Sequence, residues 1–291
     1  MPDYGSPIVR RRRLAAELRR LRELSGQTGD QVAEELGWSP SKVSRYELAR
    51  TGLKPADVRR LLELYRVGPE HREELLALAT EATRKGWWEA YSDILPEEFA
   101  ALIGLEAEAS SSWQWNVELV PGLLQTADYA REVNSGYQGV AAVPPVQMER
   151  RLRARLARQQ VLNRDPPFEL SVVLDESVLV RQLAEASVMR AQLEWLVETA
   201  ARLPNVTLRI RQLGKRYTIM TGSFSLLRFG QARETTMPDV VYSEHLRSNL
   251  YFDDATDTYL YSLAFRRLVE ESLEPSESLE LISQTARRVW A

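Results

Sequence analysis

From residue 8 to residue 86, apolar positions recur at helical spacing with few interruptions. Leu14, Leu18 and Leu21 fall at i, i+4, i+7 and predict a first helix that Ser25-Gly26 ends. Thr28-x-x-Gln31 has the form of a capping box, so Thr28 starts a second helix, with Val32, Ala33 and Leu36 on its buried face. Gly37 stops it. Pro55 opens a further helix with Val58, Leu61, Leu62 and Tyr65 on one side. Gly68-Pro69 breaks that helix, and Leu75, Leu76 and Ala79 continue the bundle. The pattern predicts about five short helices with short connections. After Gly86-Trp87-Trp88 the pattern changes. Residues 123–134, 147–163 and 187–202 read as helices. "FELSVVL", "VTLRIRQL", "SFSLLRF" and "DVVYSEH" are β-branched, alternating runs, and 255–290 returns to helix in two pieces around Pro275. The expectation is a multidomain chain: an all-α five-helix domain over 1–86, then a mixed α+β domain over 87–291. The stretch 134–145 reads as a mobile loop.

Composition narrows the function. The 291 residues include no cysteine, which excludes a disulfide framework, a thiolate zinc site and an iron–sulfur cluster. No run spans a bilayer and the start lacks a signal-peptide core, so a cytoplasmic protein without membrane contact is expected. The net charge of −3 hides an asymmetry. Residues 1–86 hold 17 Lys+Arg against 13 Asp+Glu, and residues 87–291 hold 21 against 28. A basic front and an acidic rear imply different partners for the two parts.

The stretch "GWSPSKVSRYE" carries the most specific local pattern. Gly37 suits the left-handed conformation of a sharp turn, with Trp38 beneath it. Ser39 is a good N-cap and Pro40 a good first helical residue. Val43 and Tyr46 anchor one side of the new helix, and Ala33 is small where two crossing helices approach. This spacing describes a helix-turn-helix whose second helix, 39–48, enters the DNA major groove. Its outward side is Ser39, Ser41, Lys42, Ser44 and Arg45, with Arg50 just beyond. Arg45 suits guanine O6 and N7. Lys42 stands in the first turn, where a cation costs ~0.3–1 kcal/mol against the helix dipole. A bound phosphate would reverse that cost. The alternative is a helical hairpin whose polar face is merely solvated.

With these residues in hand, "TGDQVAEELGWSPSKVSRYELAR" resembles the Cro/C1-type (XRE) helix-turn-helix at Val32-Ala33, Leu36-Gly37, Ser39 and Val43-Ser44-Arg45-x-Glu47. The resemblance implies a transcription factor that binds double-stranded DNA through Thr28, Ser39, Ser41, Lys42, Ser44, Arg45, Arg50 and Lys54, as a homodimer. Two positions depart from the family. Gly29 stands where the family usually has a phosphate-contacting Gln, and Ala49 where a Gly usually follows the Glu by two positions. The segments "LEAEASSSWQWNVELVPGLLQTADYARE", "RLARQQVLNRD", "VVLDESVL" and "GSFSLLRF" resemble the uncharacterised C-terminal domain common in actinobacterial regulators of this type. That implies no catalytic residue and no cofactor; some such regulators work with small partner proteins.

Arg10-Arg11-Arg12-Arg13 is either a phosphate-neutralising arm or a solvated charge run. Helix 147–163 carries Arg150, Arg151, Arg153, Arg155 and Arg158 and is either a plain surface helix or a docking face for a small acidic protein, in the manner of a toxin–antitoxin pair. Trp87, Trp88, Trp113 and Trp115 gather near the junction and read as packing rather than a ligand cage. His71 and His245 lack metal-ligand spacing. Asp175-Glu176 and Asp253-Asp254 read as caps rather than an acid/base pair, and a polar pocket around Asp175, Glu176 or Glu244 would be needed to revive an enzyme.

Overall fold

The computed structural model describes residues 7–49, 51–82, 86–136, 144–216, 218–230, 238–245 and 249–291, with side chains from Arg10 onward. The chain forms two compact units. The first holds the described residues through Ala90, with 100–108 and 229–230; the second holds the rest.

In the first unit five helices follow in order: α1 (Pro7–Leu24), α2 (Gly29–Leu36), α3 (Pro40–Glu47), α4 (Pro55–Leu64) and α5 (Pro69–Glu81). Prolines open α3, α4 and α5, where the missing N–H costs nothing. One core binds all five: Leu14 and Leu18 from α1, Val32 and Ala33 from α2, Val43 and Tyr46 from α3, Val58, Leu61 and Leu62 from α4, and Leu75 and Ala79 from α5. These are the apolar positions that the helical periodicity picks out.

The second unit is built on a six-stranded mixed sheet, strand order β3-β2-β1-β4-β5-β6. The strands are β1 (Ser111–Asn116), β2 (Glu169–Asp175), β3 (Val206–Arg211), β4 (Phe224–Arg228), β5 (Val240–Glu244) and β6 (Asn249–Phe252). β1, β2 and β3 run parallel, as expected where helices join them: α7 (Ala127–Gly136) and α8 (Pro145–Arg158) lie between β1 and β2, and α9 (Ser177–Val180) and α10 (Ala186–Arg202) between β2 and β3. β4, β5 and β6 form an antiparallel meander on the other side of β1. One face carries Trp115, Val173, Phe224, Leu226 and Val241, sealed by Phe265 and Leu268 of α11 (Ala255–Glu270). The β3 edge is capped from outside: Leu273 N donates to Ile210 O at 2.9 Å, and Ile210 N to Ser278 Oγ at 2.9 Å. Ser278 sits in α12 (Pro275–Arg288), which packs along α10 and β3.

The α+β expectation holds, with four elements added, the short helix α9 among them. Strand β1 forms where the sequence reads only as a tryptophan-rich junction. β6 is four residues long. The helix α6 (Glu97–Glu108) is buried along most of its length. Helix 147–163 ends as a helix at Arg158 and continues as a 3₁₀ turn to Asn163. Of the loop expected at 134–145, residues 137–143 lie outside the described residues, and 134–136 belong to α7.

Candidate nucleic-acid interface

The α2–α3 turn is built from local rules. Thr28 and Gln31 form a complete capping box, each side chain accepting from the other's backbone N–H at 3.2 and 2.8 Å. Gly37 ends α2 in the left-handed conformation, φ 66°, and Trp38 N returns to Ala33 O at 2.8 Å. Ser39 then caps α3, its Oγ accepting from Lys42 N at 3.3 Å. Val43 and Tyr46 are buried, and Trp38 meets the Tyr46 ring edge-on at 5.8 Å. With that side fixed, Ser41, Ser44 and Arg45 face solvent, as do Thr28, Ser39 and Lys54. An open cleft of about 500 Å³ lies between α1, the start of α2 and α3, with Arg19, Ser41 and Ser44 on its walls. Arg50 lies outside the described residues.

Lys42 behaves differently from its expectation. Its Nζ lies 3.0 Å from Asp57 Oδ2 and 3.7 Å from the centre of the Trp38 ring. The anion that offsets a cation in the first turn is therefore already supplied by α4. Tyr46 Oη donates to the same Asp57 oxygen at 2.6 Å. Burial pushes the Asp57 carboxyl up, but the bonds from Tyr46 and Lys42 outweigh it and hold the group below its ordinary value. Burial, then the bond to Asp57, pushes the Tyr46 phenol up to about 12.

A second tether escaped the sequence reading. Arg22 Nε and Nη2 donate to Glu47 Oε1 and Oε2 at 2.6 and 3.0 Å, and Arg22 Nη1 donates to Gln27 O at 2.9 Å. The hydrogen bonds to Glu47 raise the guanidinium above its usual value, against burial that lowers it. A sequence signal exists: Arg22 is four residues after Leu18, and Glu47 four after Val43. Each charge thus lies on the buried stripe of its own helix. Arg60 adds a third link, donating to Leu36 O at 2.7 Å with its guanidinium 5.3 Å from the Trp38 ring centre.

Ala49 takes φ 52°, a left-handed conformation, at the position where the resembled family usually has Gly. Gly29, the other departure, is open: an added Cβ would meet only Val43 Cγ1, at 3.9 Å.

The arginine run is neither an exposed arm nor a solvated face. Arg10–Arg13 are half-buried in α1, and Arg10 Nε lies 3.6 Å from Glu81 and 3.4 Å from Glu108. His71 is structural: its Nε2 is 3.0 Å from the buried Glu17, which Arg20 holds at 2.6 Å.

Comparison with known families places both parts of the chain. The helix-turn-helix domain (HTH_31) matches residues 13–75, which span α1 to the middle of α5. A domain of unknown function (DUF5753) matches residues 99–284. The chain belongs to the DUF5753 family. No curated protein and no solved structure matches it.

Within the DUF5753 region the remaining candidates resolve into structural roles. Asp175 Oδ1 accepts from Ser177 N at 3.0 Å and Asp254 Oδ1 from Thr256 N at 2.8 Å, the local capping expected of them, whereas Glu176 Oε2 accepts from the distant Leu213 N at 2.7 Å and caps no helix. Glu244 accepts from Tyr242 Oη at 3.4 Å, and His245 sits 3.5 Å from Ser243 Oγ. No group of three or more metal-ligating side chains occurs among the described residues. The arginines of α8 mostly turn inward. Arg150 binds Asp93, Arg151 donates to Ile94 O, Arg155 donates to Gln125 Oε1, and Arg158 is buried beside the Phe99 ring; Arg153 is exposed. Trp87 and Trp88 form a 3₁₀ turn in the first unit, whereas Trp113 and Trp115 belong to β1 in the second. Trp113 stacks on Phe265 at 5.2 Å, the packing role expected of it.

Proposed function

We propose that the chain is a sequence-specific DNA-binding transcriptional regulator of the XRE (Cro/C1) type, working in the cytoplasm as a homodimer and carrying out no catalysis. The observation that carries this reading is the polarity of α3. Val43 and Tyr46 are buried, while Ser41, Ser44 and Arg45 stand exposed on the opposite side. Short hydroxyls permit close approach to the groove, and Arg45 has the planar fork that pairs with a guanine edge. In this reading Thr28, Ser39, Arg50 and Lys54 hold phosphates. Lys42 divides its charge between a phosphate and Asp57. Residues 1–86 read the operator and residues 87–291 regulate. Holding a small acidic protein is the weaker alternative, since most α8 arginines already have partners inside their own unit.

The test is selection of bound sequences from random double-stranded DNA, followed by titration of single-base variants. Arg45→Ala is expected to lose ~1–3 kcal/mol of discrimination at one base pair of each half-site. Unchanged discrimination at every position would refute the role of Arg45, and failure to enrich any sequence would refute the reading as a whole.

A further inference from the structure

Arg19 and Arg22 lie about one turn apart on α1, and both line the cleft between α1, the start of α2 and α3. Ser41 and Ser44, the hydroxyls on the exposed side of α3, line it too. A molecule that rests on this side of α3 therefore meets the cleft. The wall at Gly29 is bare backbone: an added Cβ there would touch only Val43 Cγ1, at 3.9 Å.

The charges in the cleft differ in how firmly they are held. Arg22 and Glu47 neutralise each other through two hydrogen bonds. Asp30 stands in the first turn of α2, where the helix dipole favours an anion. Arg19 Nε donates to Glu23 Oε1 at 2.9 Å, one turn along the same helix. Those two side chains are 57% and 54% exposed, and a surface pair of this kind is weak. The bond engages Nε, so the two Nη groups, which form half of the guanidinium fork, take no part in it. Glu23 would keep a cation if Arg19 left, since Arg22 Nη2 lies 3.7 Å from it. Arg19 is thus the cation of the cleft that an incoming anion recruits most easily, and an arginine fork matches a phosphate in shape as well as charge.

We infer that Arg19 is a DNA-backbone contact: its guanidinium exchanges Glu23 for a phosphate that enters the cleft beside Ser41 and Ser44. The inference rests on the regulator reading, which supplies the DNA. Gly29 agrees with it, because a residue without a side chain leaves that wall open and offers no competing donor group beyond the backbone. The phosphate at this cleft is then held from α1 rather than from a side chain of α2.

The second unit provides a matched control. Arg190 Nε lies 2.9 Å from Glu194, four residues on, with the side chains 48% and 55% exposed. Arg19→Ala and Arg190→Ala remove the same kind of helix pair, so their melting curves should shift alike, and DNA binding should separate them. On the sequence that the unaltered chain selects, Arg19→Ala is expected to flatten the log–log slope of affinity against salt by about 0.9, the share of one phosphate, while Arg190→Ala leaves it unchanged. Arg19→Lys keeps the charge and should restore most of the slope. Duplexes with single phosphates replaced by neutral methylphosphonates locate the contact. One position per half-site should weaken the unaltered chain and leave Arg19→Ala indifferent. An unchanged slope for Arg19→Ala, or equal losses in both proteins at every position, would overturn the contact while leaving the regulator reading in place. If the unaltered chain selects no sequence at all, the regulator reading fails and the contact fails with it.

Discussion

The guanidinium of Arg22 grips the carboxylate of Glu47 through two parallel hydrogen bonds, 2.6 and 3.0 Å long. The pair joins α1 to the last residue of α3, and both side chains are mostly buried. Removing one partner leaves the other charge buried without its counterion. Glu47→Ala or Arg22→Ala is therefore expected to destabilise the helical unit by about 3 kcal/mol. Denaturant titration followed by circular dichroism would measure this. Binding to every DNA sequence should fall together, because the tether sets the angle of α3 rather than touching a base.

Lys42 and Lys54 should differ in their salt response. A free lysine on a phosphate contributes ~0.9 to the log–log slope of affinity against salt. Lys54→Ala should flatten the slope by about that amount. Lys42→Ala should flatten it by less, since Asp57 already offsets part of its charge at 3.0 Å. Fluorescence anisotropy at several salt concentrations gives both slopes; equal changes would show that the Asp57 pair opens fully on DNA.

Acid should loosen the helical unit through two carboxylates. Burial raises Asp57, but Tyr46 and Lys42 together bring it below its ordinary value; burial raises Glu17, but Arg20 and His71 do the same there. A group depressed in the folded state stabilises fully above its unfolded value and loses that contribution as pH falls through the folded one. The melting temperature should thus begin to fall near pH ~4 and continue falling below it. Asp57→Asn should melt lower than the unaltered chain at neutral pH, and the gap should narrow on acidification. Calorimetry across this pH range would register the convergence.

Ala49 is an opportunity for stabilisation. At φ 52° its Cβ crowds the backbone, and glycine adopts this region without that strain. Ala49→Gly is expected to stabilise the unit by about 0.5–1 kcal/mol after the entropy cost of glycine. A higher melting temperature with unchanged DNA specificity is the expected result.

Gly86 offers the opposite case. A Cβ there would stand 2.4 Å from the ring of Trp88, which is 2% exposed and has no room to move. Gly86→Ala should cost ~1–3 kcal/mol through overpacking. A shift in tryptophan emission together with a lower melting temperature would report it.

The turn around α3 was legible because each of its parts is local. A capping box, a left-handed glycine, a serine cap and two anchors all lie within about twenty residues and obey short-range rules. The tethers were hidden because they join residues distant in sequence, as with Arg22 and Glu47 or Lys42 and Asp57. Only the packed bundle shows which charge meets which. In the second unit the runs that became β2 to β5 carry the β-branched alternation that marks strands. β6 is only four residues long, Asn-Leu-Tyr-Phe, too short to give such a signal. α6, whose residues 100–108 belong to the first unit, is buried along Leu102–Ala107, so it has no amphipathic stripe to count. β1 does alternate, but its inner partners on one side are tryptophans, and on the other Ser112 and the buried Gln114. A polar residue in a core position reads as exposed until the sheet is seen.

The place of β1 also bears on synthesis. It is the first strand of the sheet to leave the ribosome and the central one on which both halves are laid. Its parallel neighbour begins only at Glu169, about fifty residues after Asn116, and its antiparallel neighbour later still. Until then Trp113 and Trp115 emerge with no strand to cover them. The nascent chain thus carries a strand with two tryptophans unpaired for longer than any other strand. Slowing elongation between Asn116 and Glu169 would prolong the interval in which a chaperone must stand in for β2.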